Sequence, residues 1–241
     1  MERVKTGVLG LDEIIEGGYP RGRSILITGT TGSGKTILGV SFIHQACLEG
    51  RKSMVIATEE LPDDVIAQAE SVGNPLGKFQ KNGTLVIDKV YEERTVNAKE
   101  IMAYGIDDID ELQSNIIGLL ERIPKEIECV LIDNIGVFTL NLSPNEFRAQ
   151  FDSLVAGLTK RNITTILVMD SSADNRTENI ASYSVYGMLR SSIKDNPFTG
   201  ARERLLEILK IRNTRISLDP QRFEITSKGI EIMKKSNGKN S

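Results

Sequence analysis

The chain has 241 residues, of which 39% are apolar and 26% charged, with a net charge of −3 at pH 7. That balance excludes a disordered chain and a surface built throughout to grip nucleic acid, and the length suits one large α/β domain or two small ones. Cys47 and Cys129, with His44 as the single histidine and no metal-ligand spacing among them, exclude a disulfide framework or zinc site and fit a reducing compartment.

The opening "MERVKTGVLGLDEII" lacks the apolar core of a signal peptide, and no run approaches the ~20 apolar residues of a membrane span. A soluble, cytoplasmic protein with no membrane partner is expected. The first β-branched run, Ser24–Thr28, predicts a strand. It leads into "GTTGSGKT", Gly29–Thr36, which fits G-x-x-x-x-G-K-[ST], and then into a helical pattern over Lys35–Glu49. Glycines there let successive N–H groups face one anion-sized hollow at a helix N-terminus. Lys35 is placed to reach the β- and γ-phosphates of a nucleotide, and the Thr36 hydroxyl to ligate Mg²⁺.

A second strand, Ser53–Thr58, is closed by Glu59 and Glu60, at the carboxyl edge where α/β sheets bind ligands. Two readings stand level. One of the paired carboxylates is a base for a water attacking the γ-phosphate, or both are acids favoured at the start of the helix over Pro62–Val72. Further strands are expected at Thr84–Asp88, Cys129–Asp133 and Thr164–Met169, and helices at Asp107–Arg122 and Pro144–Arg161. Pro62 and Pro144 sit where a missing N–H costs little. Asp133, ending "CVLID", can hold the Mg²⁺ shell beside the phosphates. The alternation predicts a mainly parallel sheet flanked by helices, in a single domain over 1–234.

After Met169 the polar "SSADNRTENIAS" reads as a mobile loop. "LLEILKIR", "RFEIT" and "GIEIM" then read as a closing antiparallel extension, followed by a disordered tail at 235–241. Within "LLEILKIR", Lys210 and Arg212 are two residues apart on a strand, so both cations share a face.

Most of the chain resembles the KaiC-type ATPases of the RecA/RadA-like P-loop superfamily: "LDEIIEGGYPRG" before the first strand, the P-loop, "EELPDDVIAQAESVG", "VLIDNI", "LEILKIRNT" and "FEITSKGIEI". The resemblance implies a RecA-like fold that binds ATP, ADP and Mg²⁺. It places Thr31, Gly32, Ser33, Gly34, Lys35, Thr36 and Ile37 on the nucleotide, Ser71 near its adenosine end, and Thr36 and Asp133 on the metal. Glu59 and Glu60 match the family's catalytic glutamate pair. Lys210, Ile211 and Arg212 match the element that each subunit extends to its neighbour's γ-phosphate, with Thr214, Thr226 and Ser227 as further contacts from the neighbouring chain. It therefore implies a homo-oligomeric ring, a hexamer, whose conformation a regulatory protein partner reads.

Four departures stand out. Full-length clock KaiC has two such domains and this chain one. Asn213 follows the finger arginine where the family often has Gly, which suits a φ above zero. No adjacent Ser-Thr pair lies between Asn179 and Ser192, so autokinase activity does not follow. "RSSIKDN" is more polar than the family's strand and is expected to be remodelled or frayed. His44 is expected to be packed or solvated, and Cys47 and Cys129 small buried hydrophobes. Tyr183 and Tyr186, with Arg176, Arg190, Lys194, Arg202 and Arg204, could track a phosphodiester backbone. Interspersed Glu178, Asp195 and Glu203 make a solvated face the better reading, so a DNA-acting RecA/RadA paralogue is an alternative that is not favoured. A nucleotide-sensing scaffold that barely hydrolyses ATP is the other.

Overall fold

A computed structural model describes residues 1–90, 116–171 and 175–233. After a short antiparallel pair, β1 (Arg3–Val4) and β2 (Tyr19–Pro20), the five apolar runs form strands close to their expected bounds: β3 (Ser24–Gly29), β4 (Ser53–Ala57), β5 (Leu85–Lys89), β6 (Cys129–Asp133) and β7 (Thr164–Asp170). They join β8 (Gly187–Asp195), β9 (Arg202–Ile211), β10 (Gln221–Thr226) and β11 (Gly229–Ile232) in one sheet. Among the described residues its order is β11-β10-β9-β8-β3-β7-β6-β4-β5. From β8 to β5 every neighbour is parallel. β9, β10 and β11 extend it antiparallel, as expected from the sequence.

The runs are continuous rather than alternating because the sheet is covered on both faces. Successive side chains simply enter different cores. Ile25, Ile27, Val55, Leu131 and Val168 pack on one face with α1 (Leu11–Ile14), α2 (Lys35–Leu48), α3 (Pro62–Ser71) and α4 (Gly77–Lys81). Leu26, Ile56, Val130, Ile132 and Leu167 pack on the other. There they meet α5 (Gly118–Glu121), α6 (Pro144–Lys160) and α7 (Asn175–Ser184). A reciprocal capping box between Ser143 and Glu146 starts α6 where Pro144 marked it.

Two expectations are corrected. The polar stretch expected to be a mobile loop forms α7 from Asn175 onward. Its apolar stripe is narrow, but Ala181 is fully buried against the sheet, and Glu178, also buried, accepts from the Thr28 hydroxyl and the Arg190 guanidinium. "RSSIKDN" is neither remodelled nor frayed: β8 runs through to Asp195, held between β3 and β9. Its polarity is used rather than tolerated, since buried Ser191 bonds the P-loop. The α4 turn has no counterpart in the sequence reading. Most of the helix expected at Asp107–Arg122, and the tail at 235–241, lie outside the described residues.

Candidate active site

Parallel strands bring their carboxyl ends to one edge, so β3, β7, β6 and β4, adjacent in that order, deliver the P-loop, Asp170, Asp133 and the Glu59–Glu60 pair together. The loop between β3 and α2 needs its glycines for space. A Cβ on Gly29, at φ 153°, would stand 2.0 Å from the Ser191 carbonyl oxygen. One on Gly34, at φ 101°, would stand 3.0 Å from Ile225 Cδ1. Ser191 Oγ donates to the Ser33 carbonyl at 2.7 Å and pins the loop to the sheet.

Above the loop lies an open cleft of about 500 Å³. Of the expected nucleotide contacts, Thr31, Gly32, Gly34, Lys35, Thr36 and Ile37 line it, while Ser33 is buried beneath. Glu59, Glu60 and Asp133 line it as well. Lys35 is buried, its Nζ 3.0 Å from the Thr30 carbonyl and 2.6 Å from Asp170 Oδ1. Thr36 and Asp133 line the cleft together, and the Thr36 hydroxyl favours the ionised Asp133 carboxyl. Asp133 is raised to about 6, first by burial and then by the charges of Glu60 and Glu59, against the Thr36 hydroxyl and Lys35, which draw it down. Burial likewise raises Glu60, opposed by the hydrogen bond that Gln68 Nε2 donates at 3.3 Å.

The glycine cradle suits phosphate oxygens. A hydroxyl beside one carboxylate suits Mg²⁺, which keeps water and phosphate oxygens for its remaining positions. Among the described residues no group of three or more His, Cys, Asp or Glu forms a metal cluster.

Other expected residues fall elsewhere. The Ser71 hydroxyl turns back onto the Gln68 carbonyl at 2.7 Å, leaving Gln68 and Val72 on the cleft wall. Thr226 and Ser227 form the β10–β11 turn, just past Ile225 of the cleft wall and against Gly73. Lys210, Ile211, Arg212 and Thr214 are at the opposite edge of the sheet. Register places Gly29 beside Ser191 but Ile25 beside Gly187, which pairs Ile211. That separates them from their own P-loop by about 13 Å of strand. Lys210 Nζ donates to the carbonyls of Ser182 and, at 3.0 Å, Val185, and Arg212 Nη2 to that of Tyr183 at 3.1 Å. Both cations thus cap the carbonyl end of α7. Ile211 is buried, and Thr214 Oγ1 accepts from Arg3 at 2.9 Å. Asn213 has the positive φ expected of it, 53°.

Besides Gln68, Val72 and Ile225 of its wall, the cleft holds three polar residues absent from the expected set: Asp170, Asn134 and Arg204. Asp170 carries the same signal as Asp133, a carboxylate ending an apolar strand, but the strand was read as ending at Met169. Asn134 follows Asp133, its Nδ2 2.8 Å from Asp170 Oδ2. Arg204 was grouped with the basic segment, and its pairing opposite Ile193 on β8 brings its Nε 3.4 Å from the Gly32 carbonyl. Elsewhere in that segment Arg190 pairs with Glu178 at 2.7 Å and Lys194 with Glu207 at 3.3 Å. His44 packs edge-on against Phe79, and Cys47 and Cys129 are buried, as expected. Among the described residues no helix is long and apolar enough to cross a membrane.

Known proteins resemble this chain over most of its length. A UPF0273 protein of Methanopyrus kandleri is 29% identical over 96% of this chain and 92% of its own. The circadian clock oscillator protein KaiC of Synechococcus elongatus is 32% identical over 95% of this chain, which spans 44% of that longer protein. The crystal structure of a KaiC-like protein from Pyrococcus horikoshii superposes with a TM-score of 0.75, at 26% identity, covering 97% of this chain and 99% of that one. The fold is RecA-like. Because the family described as "ATPase: KaiC" matches residues 4–237, the chain belongs to the KaiC ATPase family.

Proposed function

We propose that the chain is an Mg²⁺-dependent ATPase that works as a homo-oligomeric ring, a hexamer, with each active site shared between neighbours. The observation that carries this reading is one cleft lined by the P-loop, by Thr36 and Asp133, and by Glu59 and Glu60. Lys35 holds the β- and γ-phosphates, and ADP remains in the same cradle. Held by Thr36 and Asp133, Mg²⁺ supplies charge neutralisation on the phosphate oxygens. Glu60, raised by burial, accepts a proton from the attacking water, and Glu59 helps to orient it. The water oxygen bonds the γ-phosphorus as the bridging P–O bond breaks, leaving ADP and phosphate.

Lys210 and Arg212 complete the neighbouring subunit's site, with Ile211, Thr214, Thr226 and Ser227 at the same junction. Their place at the sheet edge away from their own P-loop supports action in trans rather than in cis. A cytoplasmic regulatory role, read by a protein partner from the ring's conformation, completes the proposal. The test is ATPase activity against protein concentration, with mass followed by light scattering. Activity per subunit is expected to rise as rings form. Arg212→Ala should assemble and bind ATP yet lose about 10³-fold or more of turnover, the scale of an arginine finger. A fully active monomer, or normal turnover in Arg212→Ala, rejects the shared site.

A further inference from the structure

We propose that Asp170 competes with the γ-phosphate for Lys35 and so sets the preference of this chain between nucleoside triphosphate and diphosphate. This rests on the nucleotide-binding reading of the cleft and adds to it a specificity-determining residue. Among the described residues Lys35 is the one lysine lining that cleft, and its Nζ lies 2.6 Å from Asp170 Oδ1. A P-loop lysine is the group that distinguishes a terminal phosphate, because it reaches the β- and γ-phosphates together. Here it already has a carboxylate on the same side of the cleft.

The carboxylate is fixed rather than incidental. It ends β7, whose backbone is paired along its length with β3, so its position relative to the P-loop is set by the sheet. The next residue continues that constraint, the Ser171 N–H donating to the Gly29 carbonyl at 2.9 Å. Its second oxygen accepts from Asn134 Nδ2 at 2.8 Å, and Asn134 is itself buried, with its backbone held by Thr58. Asp170 thus meets an arriving ligand with one oxygen on Lys35 and the other on Asn134. A diphosphate can share Lys35 with it. A triphosphate must take Lys35 over and place a further negative charge near the Asp170 carboxylate, which costs free energy.

Asp170→Asn keeps the size of the side chain and its contact with Asn134 but removes the competing charge. Direct titration calorimetry of ATP and of ADP, with Mg²⁺ and separately with EDTA, reads the outcome as the ratio of the two affinities. The variant is expected to tighten ATP by about tenfold more than ADP, in both conditions. An unchanged ratio overturns the proposal. So does a loss of ATP affinity confined to the Mg²⁺ series, which would make Asp170 part of the metal shell. If the wild-type protein binds neither nucleotide, the nucleotide-site reading itself fails, a result distinct from a wild type that binds and a variant whose ratio does not move.

Discussion

Burial pushes Asp133 above the ordinary carboxylate value of 3.8 to about 6, and the Thr36 hydroxyl is the contact that moderates it. A carboxyl with a raised folded value holds its proton more tightly in the folded state than in the unfolded one. Its contribution therefore favours folding at low pH and is lost as pH rises from about 4 to about 6. Metal binding needs the ionised form, so the two demands oppose each other across the same window. Asp133→Asn is expected to flatten the fall in melting temperature of the nucleotide-free protein over that range while abolishing Mg²⁺-dependent ATP affinity. An unchanged slope, or intact Mg²⁺ dependence, counts against the assigned role. Asp133, Lys35 and Thr36 were readable because their roles follow from motif spacing and from a strand-end position within short segments. Asp170 and Arg204 were not. Each reaches the cleft only through strand neighbours, β7 beside β3 and β9 beside β8, and no local pattern encodes which strands pair.

β3, β4, β6 and β7 were legible almost to their ends because burial on both faces makes each of these runs continuously apolar, and prolines marked the starts of α3 and α6. α7 was not legible, since a helix that buries Glu178 and Ala181 through so narrow a stripe looks like a polar loop in sequence. β8 was undervalued for a related reason: Ser191 is buried for the bond it makes to the P-loop, not for apolar area. The carbonyl end of α7 relies on cations from β9, chiefly Lys210, whose ammonium is drawn below its usual value by burial and then by the charge of Arg212. Lys210→Ala leaves the carbonyls of Ser182 and Val185 without that donor. Amide exchange in α7 of the unassembled subunit is expected to accelerate by about tenfold, the scale of losing a charge-assisted hydrogen bond, with α6 unaffected. Equal protection of α7 in wild type and variant would show that its packing alone suffices.

In an assembled ring the proposed site has two owners, and the two can be inactivated separately. Lys35→Ala should empty a subunit's own cleft, and Arg212→Ala should remove what that subunit offers its neighbour. Each variant alone is expected to be inactive. Mixed in equal amounts and allowed to exchange, they should regain roughly a quarter of wild-type activity per subunit, because an intact Lys35 then meets an intact Arg212 at that fraction of junctions. Mixtures that stay inactive despite demonstrated subunit exchange would place each finger in its own subunit's chemistry. The capping of α7 gives this arrangement a thermodynamic character of its own. Lys210 and Arg212 do not wait without acceptors; their protons already lie on the carbonyls of Ser182, Tyr183 and Val185. Closing a junction is thus an exchange of acceptors, neutral carbonyl oxygens given up for anionic phosphate oxygens, and only the difference between them drives association. That difference grows with the charge held in the neighbouring cleft. In the proposed ring, cohesion would become a readout of how many phosphates the next subunit carries, and hydrolysis would loosen it by returning two cations to the helix they came from.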